Sequence, residues 1–292
     1  GALGTDNETD VGDGQAIPMA ELGTIPLGAT VVAISAGWFS SCALLETGGV
    51  KCWGYNNHGQ LGTGSVGTSV GDGNGVGMAS LDAISLASAA TAVSTSGMHT
   101  CVILDGGNVT CWGYGWWGEL GNDMHYIRVY DMSSVVPVNL LGVPATAISA
   151  GAYHTCAIVE GGRLKCWGRG DNGRLGFDAT TIGNGNAHAG NSENEMASVP
   201  YVSLPNGFAT AVSAGYEHTC VIVSTGEVVC FGKGDNGRTG SGSLADTTEF
   251  DSLPALPLVG AVDMCPDAPP PSPPPRSPSP SPPPSPPPPS PP

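Results

Sequence analysis

Apolar residues in this chain occur in short runs that are separated by Gly-rich polar stretches. In the first clear example, the runs 42–45 and 50–53 flank a turn at residues 46–49 that contains two glycines. Short apolar runs on either side of a Gly-containing turn are typical of a β-hairpin. The arrangement recurs and predicts an all-β protein with hairpins over residues 42–52, 101–111, 156–166 and 220–230.

Each predicted hairpin carries the same phrase: a cysteine, nine residues, a second cysteine, an aromatic residue and a glycine. The two cysteines then face each other across the strands, and a disulfide there removes roughly 2.5–3 kcal/mol of freedom from the unfolded chain. Zinc is the alternative, but structural zinc sites use shorter Cys-x(2–4)-Cys pairs. The sequence therefore predicts an oxidising compartment. The predicted disulfides are Cys42–Cys52, Cys101–Cys111, Cys156–Cys166 and Cys220–Cys230.

The phrase is embedded in a longer repeat. An apolar run that ends in Ser-Ala-Gly precedes it, as at 34–37, and Gly-x-Leu-Gly follows it, as at 59–62. The first cysteines recur at intervals of 59, 55 and 64 residues. These intervals exceed the roughly 40–50 residues of a four-stranded propeller blade. We assign the excess to the Gly-rich stretches 62–79 and 177–197, which are expected to be surface loops outside the core.

The ordered elements Val/Ile-Ser-Ala-Gly, His-Thr-Cys, Cys-Trp-Gly and Gly-x-Leu-Gly resemble the repeat of the regulator of chromosome condensation family, in its secreted, cysteine-paired form. The resemblance covers most of residues 1–262 and implies a β-propeller with one repeat per blade. The family usually closes a ring of about seven blades. Because residues 1–4 match 59–62 without a preceding hairpin, we expect the C-terminal part of a longer polypeptide. A smaller or open ring that a neighbouring molecule closes is the alternative.

Charge narrows the range of partners. The chain has 9 Lys plus Arg against 25 Asp plus Glu, which gives a net charge of −16. A nucleic-acid-binding face needs clustered cations, and an anionic membrane repels an acidic chain, so we exclude both partners. No apolar run is long enough to span a bilayer. The expected partners are further copies of the chain or other extracellular glycoproteins.

Motifs that carry catalysis are not found in the sequence. There is no nucleophile elbow, phosphate-binding loop or metalloprotease motif, so the sequence predicts a protein that is not an enzyme and has no resident cofactor. Loose calcium binding to acidic loop residues is the one exception that we retain. The residues concerned are Glu193, Glu195, Asp246 and Glu249.

Two further sets of residues are candidates for contacts. His99, His154 and His218 recur at one repeat position, where they could meet on a propeller axis and bind a metal. A packing contact that is copied from blade to blade is the favoured interpretation. Trp116 and Trp117 form a pair that either contacts a partner or packs against the next blade.

The composition changes completely after Cys265. Residues 266–292 contain 18 of the 26 prolines, and serine is nearly the only other residue type. Proline lacks a backbone donor and fixes φ, so such a stretch favours an extended polyproline II conformation. We therefore divide the chain into propeller repeats at 1–262 and a proline- and serine-rich polyproline II tail at 263–292.

Several modifications are expected outside the hairpins. The Ser-Pro tracts resemble those of hydroxyproline-rich glycoproteins of green-algal and plant walls and flagellar surfaces, which implies hydroxylated, O-glycosylated residues. The candidates are Pro269, Pro270, Pro271, Ser272, Pro273, Pro274, Pro275, Pro278, Pro280, Pro282, Pro283, Pro284, Pro286, Pro287, Pro288 and Pro289. Asn7 and Asn108 are N-glycosylation acceptors, and Cys265 is predicted to be unpaired or bonded to another chain.

These observations together predict a secreted structural protein. The rigid propeller would provide protein contacts and the glycosylated rod would provide length, as in a cell-wall layer or a surface filament such as an algal mastigoneme. The alternative is a secreted propeller that binds one protein or carbohydrate partner. The fold alone does not distinguish between these two functions.

Overall fold

The computed structural model describes residues 2–6, 19–124, 127–182, 187–247, 253 and 255–256. These residues belong to a compact unit, Gly1–Pro257. A second unit, Leu258–Pro292, lies outside the described residues, as do the predictions made for Asn7, Cys265 and the tail. The boundary that the sequence predicts at 262 therefore stays a prediction.

Four antiparallel sheets follow one another along the described chain, and we number them as blades 1 to 4. Blade 1 contains β1 (Val31–Ala36), β2 (Ser40–Leu45) and β3 (Val50–Gly54). Blade 2 contains β4 (Ala90–Thr95), β5 (His99–Leu104), β6 (Val109–Gly115) and β7 (Ile127–Val129). Blade 3 contains β8 (Ala145–Ala150), β9 (His154–Val159), β10 (Arg163–Arg169) and β11 (His188–Ala189). Blade 4 contains β12 (Ala209–Ala214), β13 (His218–Val223), β14 (Val228–Gly232) and β15 (Ala255–Leu256).

The strands of each blade pair in the order of the chain, and the first strand of each of blades 1 to 3 packs against the blade that follows. Every position of β5 and of β9 is buried, because blades 2 and 3 have a neighbour on both faces. In blade 4, by contrast, only three of the six positions of the equivalent strand β13 are buried. The all-β architecture with propeller-type blades is therefore confirmed.

All four predicted disulfides are present. In each hairpin the two cysteines are directly opposite in the antiparallel register, as for Cys42 and Cys52, and their Cα atoms are 4.1 Å apart. The cysteines of the first three hairpins are fully buried between neighbouring strands. The disulfides thus belong to the core of the blades.

The serine of the Ser-Ala-Gly element joins one blade to the next. The Thr95 backbone N–H in blade 2 donates to the Ser35 hydroxyl oxygen of blade 1 at 2.9 Å. The hydroxyl oxygens of Ser94 and Ser149 accept the equivalent hydrogen bond, also at 2.9 Å, from a backbone N–H in the first strand of the following blade. A buried backbone donor at each boundary is thereby satisfied, which explains why serine recurs at this position.

The Gly-x-Leu-Gly element makes the second contact between blades. The carbonyl oxygen of its variable residue accepts a hydrogen bond from a threonine of the next blade and, at Gln60 and Glu119, a second one from a tryptophan. For Gln60 these donors are Thr100 Oγ1 at 2.9 Å and Trp112 Nε1 at 3.0 Å. In blade 1 the Ala2 carbonyl accepts the equivalent bonds from Ser41 and Trp53.

Two of the three repeated histidines, His99 and His154, contact a threonine of the next blade, as the favoured interpretation predicted. His99 Nε2 lies 2.8 Å from Thr155 Oγ1 of the next blade, and His154 Nε2 lies 2.8 Å from Thr219 Oγ1. Because the Thr155 hydroxyl donates to the Glu119 carbonyl, His99 donates from Nε2. Burial lowers the pKa of His99 to about 3, which keeps this histidine neutral.

The expectation that the Gly-rich stretches 62–79 and 177–197 lie outside the core is wrong. Val70, Met78 and Met196 from these stretches are buried in the core, and the second stretch also supplies β11 and a short helix, α1 (Glu195–Ser198). Asp123 fixes the second stretch by accepting a bond from the Met196 backbone N–H at 2.7 Å. A glycine-rich composition indicates turns in the backbone and does not show that a segment lies outside the core. Here Met78 and Met196 anchor the two segments in the core.

Helices in the described part of the chain are short 3₁₀ turns and α1. None of them is long and apolar enough to cross a membrane.

Candidate functional site: an aromatic surface at one end of the blades

Two segments of every repeat meet at the same end of each blade. The turn between the first and second strands lies there, and so do the residues that follow the third strand, because adjacent strands run antiparallel. A backbone hydrogen bond joins the two segments: the Tyr55 N–H donates to the Phe39 carbonyl at 2.8 Å. The equivalent bonds link Tyr114 to Met98, Arg169 to Tyr153 and Lys233 to Glu217.

Aromatic residues occupy most of these positions in blades 1 to 3. Together with ring-contacting neighbours they form one continuous patch, which we call the aromatic surface. Its members are Trp38, Phe39, Tyr55, His58, Tyr114, Trp116, Trp117, Tyr153, Arg169, His188 and Tyr216. Three of the six tryptophans of the chain lie here, whereas Trp53, Trp112 and Trp167 are buried in the core.

The rings are accessible to a partner. The exposed fractions are 42 % for Trp38, 50 % for Phe39, 38 % for Tyr55, 41 % for Trp116 and 43 % for Tyr216. The largest contiguous apolar patch on a soluble protein is often a functional surface, and large patches commonly mark interaction sites. The aromatic surface is therefore the candidate functional site.

Five rings along blades 1 and 2 form a row. From Phe39 the ring centroids step 5.8 Å to Tyr55, 6.3 Å to His58, 5.1 Å to Tyr114 and 6.5 Å to Trp116. Burial, assisted by the nearby Arg128, lowers the pKa of His58. The row is accordingly uncharged at neutral pH.

A second group of rings joins the first blade to the last. Trp38 of blade 1 stacks on Tyr216 of blade 4 with centroids 4.5 Å apart and planes 13° apart. The edge of Tyr153 from blade 3 meets both rings, at 6.5 Å and 5.7 Å. Its side-chain hydrogen bond with Tyr216, reinforced by burial, raises the pKa of Tyr153 to about 12.

Glycine makes room for the stacked tryptophan. A Cβ atom on Gly97, which follows β4 of blade 2, would lie 2.8 Å from the Trp38 ring. No real side chain approaches so closely, and Gly97 therefore lets Trp38 lie across the blade boundary towards Tyr216.

The two tryptophans that the sequence singled out have different environments. Trp116 is exposed and stacks on Tyr114. Trp117 lies against blade 3, with its ring centroid 4.7 Å from that of His188 and 5.1 Å from the Arg169 guanidinium carbon. Trp116 therefore fits the contact interpretation, whereas Trp117 packs on the next blade.

Charged groups replace the rings on blade 4. The Glu217 carboxylate is within 3.4 Å of Arg174, 3.0 Å of Lys233 and 3.4 Å of Arg238. The Arg174 side chain is fully buried, so this ion pair is shielded from solvent on one side. The aromatic surface thus ends at a charged cluster whose acid is already paired with cations.

Glu119 lies beneath the surface with an unusual carboxyl group. Its Oε2 accepts a 2.8 Å bond from the Trp117 backbone N–H, while Oε1 is buried without a hydrogen-bond partner. Burial raises the pKa of Glu119 to about 8. In the preceding repeat the same position is Gln60, whose Oε1 accepts from the His58 N–H and whose Nε2 donates to the Gly97 carbonyl. A protonated Glu119 is uncharged, as the Gln60 amide is.

Other residues proposed from the sequence have ordinary roles or stay predictions. Asn108 is exposed at a hairpin turn, so it is accessible to modification. Two of the proposed calcium ligands are instead hydrogen-bonded to the protein. Glu195 Oε2 accepts three backbone N–H bonds, and Asp246 accepts from Asn172 and the Gly234 N–H. Glu249 lies outside the described residues.

Sequence reasoning missed most of the aromatic surface. Trp38, Phe39 and Tyr153 precede the first cysteine of their hairpins by three or four residues, and Tyr55 and Tyr114 follow the Trp-Gly pair directly. An aromatic bias at these repeat positions is visible in the sequence. Antiparallel strand topology would have placed both positions at one end of the blades.

A known repeat matches three of the four blades. The sequence profile of the Regulator of chromosome condensation (RCC1) repeat matches residues 31–60, 145–174 and 209–238. These are RCC1-like repeats. The second repeat, which the profile does not match, forms a blade of the same design.

Two solved structures share the fold. The chain superposes on yeast RCC1 (Prp20) bound to Kap60 with a TM-score of 0.64 and 19 % identity, which covers 80 % of this chain and 50 % of that one. Human WBSCR16 gives a TM-score of 0.60 with 18 % identity and covers 75 % and 52 % of the two chains. At these identities the likeness establishes the propeller fold alone.

Curated relatives share the RCC1-like part of the sequence. Arabidopsis thaliana Ultraviolet-B receptor UVR8 is 28 % identical over 74 % of this chain and 44 % of its own length. Human HERC4, a probable E3 ubiquitin-protein ligase, is 28 % identical over 74 % of this chain and 18 % of its own length. The chain therefore spans less than half the length of these relatives.

The prediction that the protein is not an enzyme is contradicted by these relatives. HERC4, HERC5 and HERC3 of human are named as ligases, and this chain matches 18 %, 19 % and 18 % of their respective lengths. The prediction was wrong because the repeat motifs encode contacts between blades. Such motifs carry no information about chemistry elsewhere in a polypeptide that contains them.

Proposed function

We propose that this chain is a secreted binding module that holds a protein partner on the aromatic surface, as a structural subunit of an extracellular glycoprotein assembly. The observation that carries the proposal is the contiguous group of exposed rings at one end of the blades. Tryptophan and tyrosine dominate the binding energy of protein interfaces. Rings that are already held by one another lose little conformational freedom on binding.

The relatives support a role in protein binding. Yeast RCC1 is bound to Kap60 in its crystal structure. In this chain the aromatic surface is a rigid platform, because backbone bonds between the two segments of each blade fix the residues that carry the rings.

Two sequence features support the extracellular setting. Four disulfides within one unit suit an oxidising compartment. The Ser-Pro tail suits an extended, O-glycosylated rod of the kind found in cell-wall layers and in surface filaments such as mastigonemes.

A site-specific photo-crosslinker tests the binding role. Benzoylphenylalanine in place of Tyr55 is expected to crosslink a protein in native extracellular material, because Tyr55 lies in the ring row. The matched control carries the same group in place of Phe208, which is 54 % exposed and lies beside the hairpin turn at the opposite end of blade 4. Equal crosslinking from both positions, or crosslinking to glycan only, would contradict the proposal.

A further inference from the structure

We propose that the aromatic surface binds the Ser-Pro tail, residues 269–292, of a second copy of this chain. The inference rests on the proposed function and names its partner. Three observations carry it: the chemistry of the two surfaces, the spacing of the rings and the distribution of charge.

The chemistry of the tail complements that of the surface. Prolines that carry no glycan present apolar rings and backbone carbonyls but no N–H groups, so the unglycosylated stretches of a proline-rich segment offer apolar faces and acceptors. Grooves lined by aromatic side chains are a recurrent docking site for such segments. The aromatic surface supplies rings together with donors, since Tyr55 lies beside the exposed Asn57, whose Nδ2 donates to the Tyr55 hydroxyl at 2.6 Å. Residues 269–292 contain no aromatic residue of their own.

The spacing of the ring row suits polyproline II. This helix has three residues per turn and rises about 3.1 Å per residue, so one turn is about 9 Å long. Two steps along the row, for example 6.3 Å from Tyr55 to His58 and 5.1 Å from His58 to Tyr114, place alternate rings at most about 11 Å apart, which is comparable with one such turn. Prolines one turn apart can therefore contact alternate rings of the row.

Charge favours the tail over other parts of a second copy. The whole chain carries a net charge of −16, so two copies repel each other in water. Within residues 269–292 the single charged side chain is that of Arg276, and the ring row is uncharged at neutral pH. Contact between the row and the tail is thus free of the repulsion that opposes contact between two acidic surfaces.

Entropy also favours this partner. Proline-rich chains are already extended, so little conformational freedom is lost when they bind. The 24 residues of the segment extend about 75 Å at roughly 3.1 Å per residue, which is long enough to link one copy to the next. Repetition of the contact would build a polymer of propellers joined by rods.

Sedimentation of the full chain tests the inference. All proteins carry Cys265→Ser, so that covalent pairing of copies is excluded, and the probe is an unmodified synthetic peptide of residues 269–292. We expect concentration-dependent association of the chain, and reversal of that association by excess peptide. A Ser-Gly peptide of equal length is the control, because it is flexible and lacks the polyproline II conformation.

Two variants locate the contact. Phe39→Ser combined with Tyr55→Ser is expected to weaken peptide binding at least about tenfold, because each exposed ring is a contact residue. Phe208→Ser removes an equally exposed ring at the other end of the blades and is expected to leave binding unchanged. Circular dichroism and the melting temperature show whether each variant is folded.

The outcomes separate this inference from the proposed function. Association that the peptide does not reverse, or that the Phe39 and Tyr55 substitutions do not weaken, would overturn the inference. If the crosslinker at position 55 then captures a different protein, the proposed function still holds. A crosslink to residues 269–292 of an isotope-labelled second copy would support both.

Discussion

At the scale of single residues, one repeat position shows how the fold tolerates different side chains. The variable residue of Gly-x-Leu-Gly is Gln60, Glu119 or Arg174. In each case its backbone carbonyl accepts a hydrogen bond from a threonine hydroxyl of the next blade. The main chain makes the repeated contact, so the side chain is free to vary. Glu119 is costly when ionised, because its buried carboxyl group, unlike the guanidinium of Arg174, forms no ion pair within the described part of the chain, and its Oε1 atom has no hydrogen-bond partner there.

Replacement of Glu119 by glutamine is expected to stabilise the protein at alkaline pH. Burial raises the pKa of Glu119 from 4.5 to about 8, so folding takes up a proton between these values. The free energy of unfolding that this group contributes is therefore highest below about pH 4.5 and falls as the pH rises to about 8. Glutamine does not titrate, and Glu119→Gln removes this decline.

Melting temperatures of the wild type and of Glu119→Gln, compared at pH 5 and pH 8, check this prediction. The difference between the two proteins is expected to be larger at pH 8. Gln60→Glu is the mirror-image control, since it places a carboxyl group in the equivalent buried position and should introduce the same decline. A difference that is independent of pH would contradict the argument.

At the scale of strands and hairpins, two local devices hold the blades together. The disulfide closes each hairpin over a sequence separation of 10 residues, and the glycine after the first strand permits close approach of the next blade. The disulfide acts within a blade, and the glycine acts between blades. Separate substitutions can therefore test each feature.

Loss of one disulfide is expected to destabilise its blade without changing the fold. For Cys156→Ala combined with Cys166→Ala, loop closure alone predicts a loss of about 2.5–3 kcal/mol. Because both cysteines are fully buried, the vacated space adds to this loss. Urea unfolding of the oxidised variant measures it, and a stability equal to that of the wild type would show that the disulfide is dispensable.

Gly37→Ala is expected to disturb the boundary between blades 1 and 2. A Cβ atom on Gly37 would lie 1.8 Å from the Ser96 carbonyl oxygen of blade 2, so the backbone must move. Gly161→Ala is the control, because its φ of +82° is unfavourable for alanine while the space around it is open. The control should cost roughly 1–2 kcal/mol from strain alone, and Gly37→Ala should cost more in the same unfolding assay.

At the scale of the whole molecule, the acidic propeller repeats and the nearly uncharged tail have separate physical roles. The net charge of −16 keeps copies apart in solution, whereas the tail can approach an acidic surface with little repulsion. Covalent modification of the tail is the feature that most directly reports on the compartment in which the protein works.

Non-reducing mass spectrometry of the native protein is expected to show hydroxylated prolines and pentose or hexose additions on the peptide 266–292. The physical basis is the extended, solvated conformation of proline-rich chains, which leaves them accessible to modifying enzymes. A bare tail combined with free thiols at Cys42 and Cys52 would contradict the extracellular proposal. A peptide from another chain bonded to Cys265 would identify covalent assembly as a further means of association.

Much of the fold followed from the sequence because it is encoded over short distances. Each hairpin lies within a few residues of its turn, and each disulfide joins cysteines 10 residues apart, so local spacing was sufficient to predict both. Local composition was misleading for the Gly-rich stretches, where Met78 and Met196 reach the core. Their burial depends on contacts with residues far away in the sequence, such as Asp6 for Met78 and Asp123 for Met196.

The sequence by itself determined the repeat, the all-β class, the four hairpins and their disulfides. Only the tertiary structure decided where the aromatic residues meet. Trp38 and Tyr216 are 178 residues apart in the chain, and they stack because four successive blades bring the first and last of them together. The local repeat pattern determines the structure of each blade, whereas the packing of successive blades determines which residues form one surface.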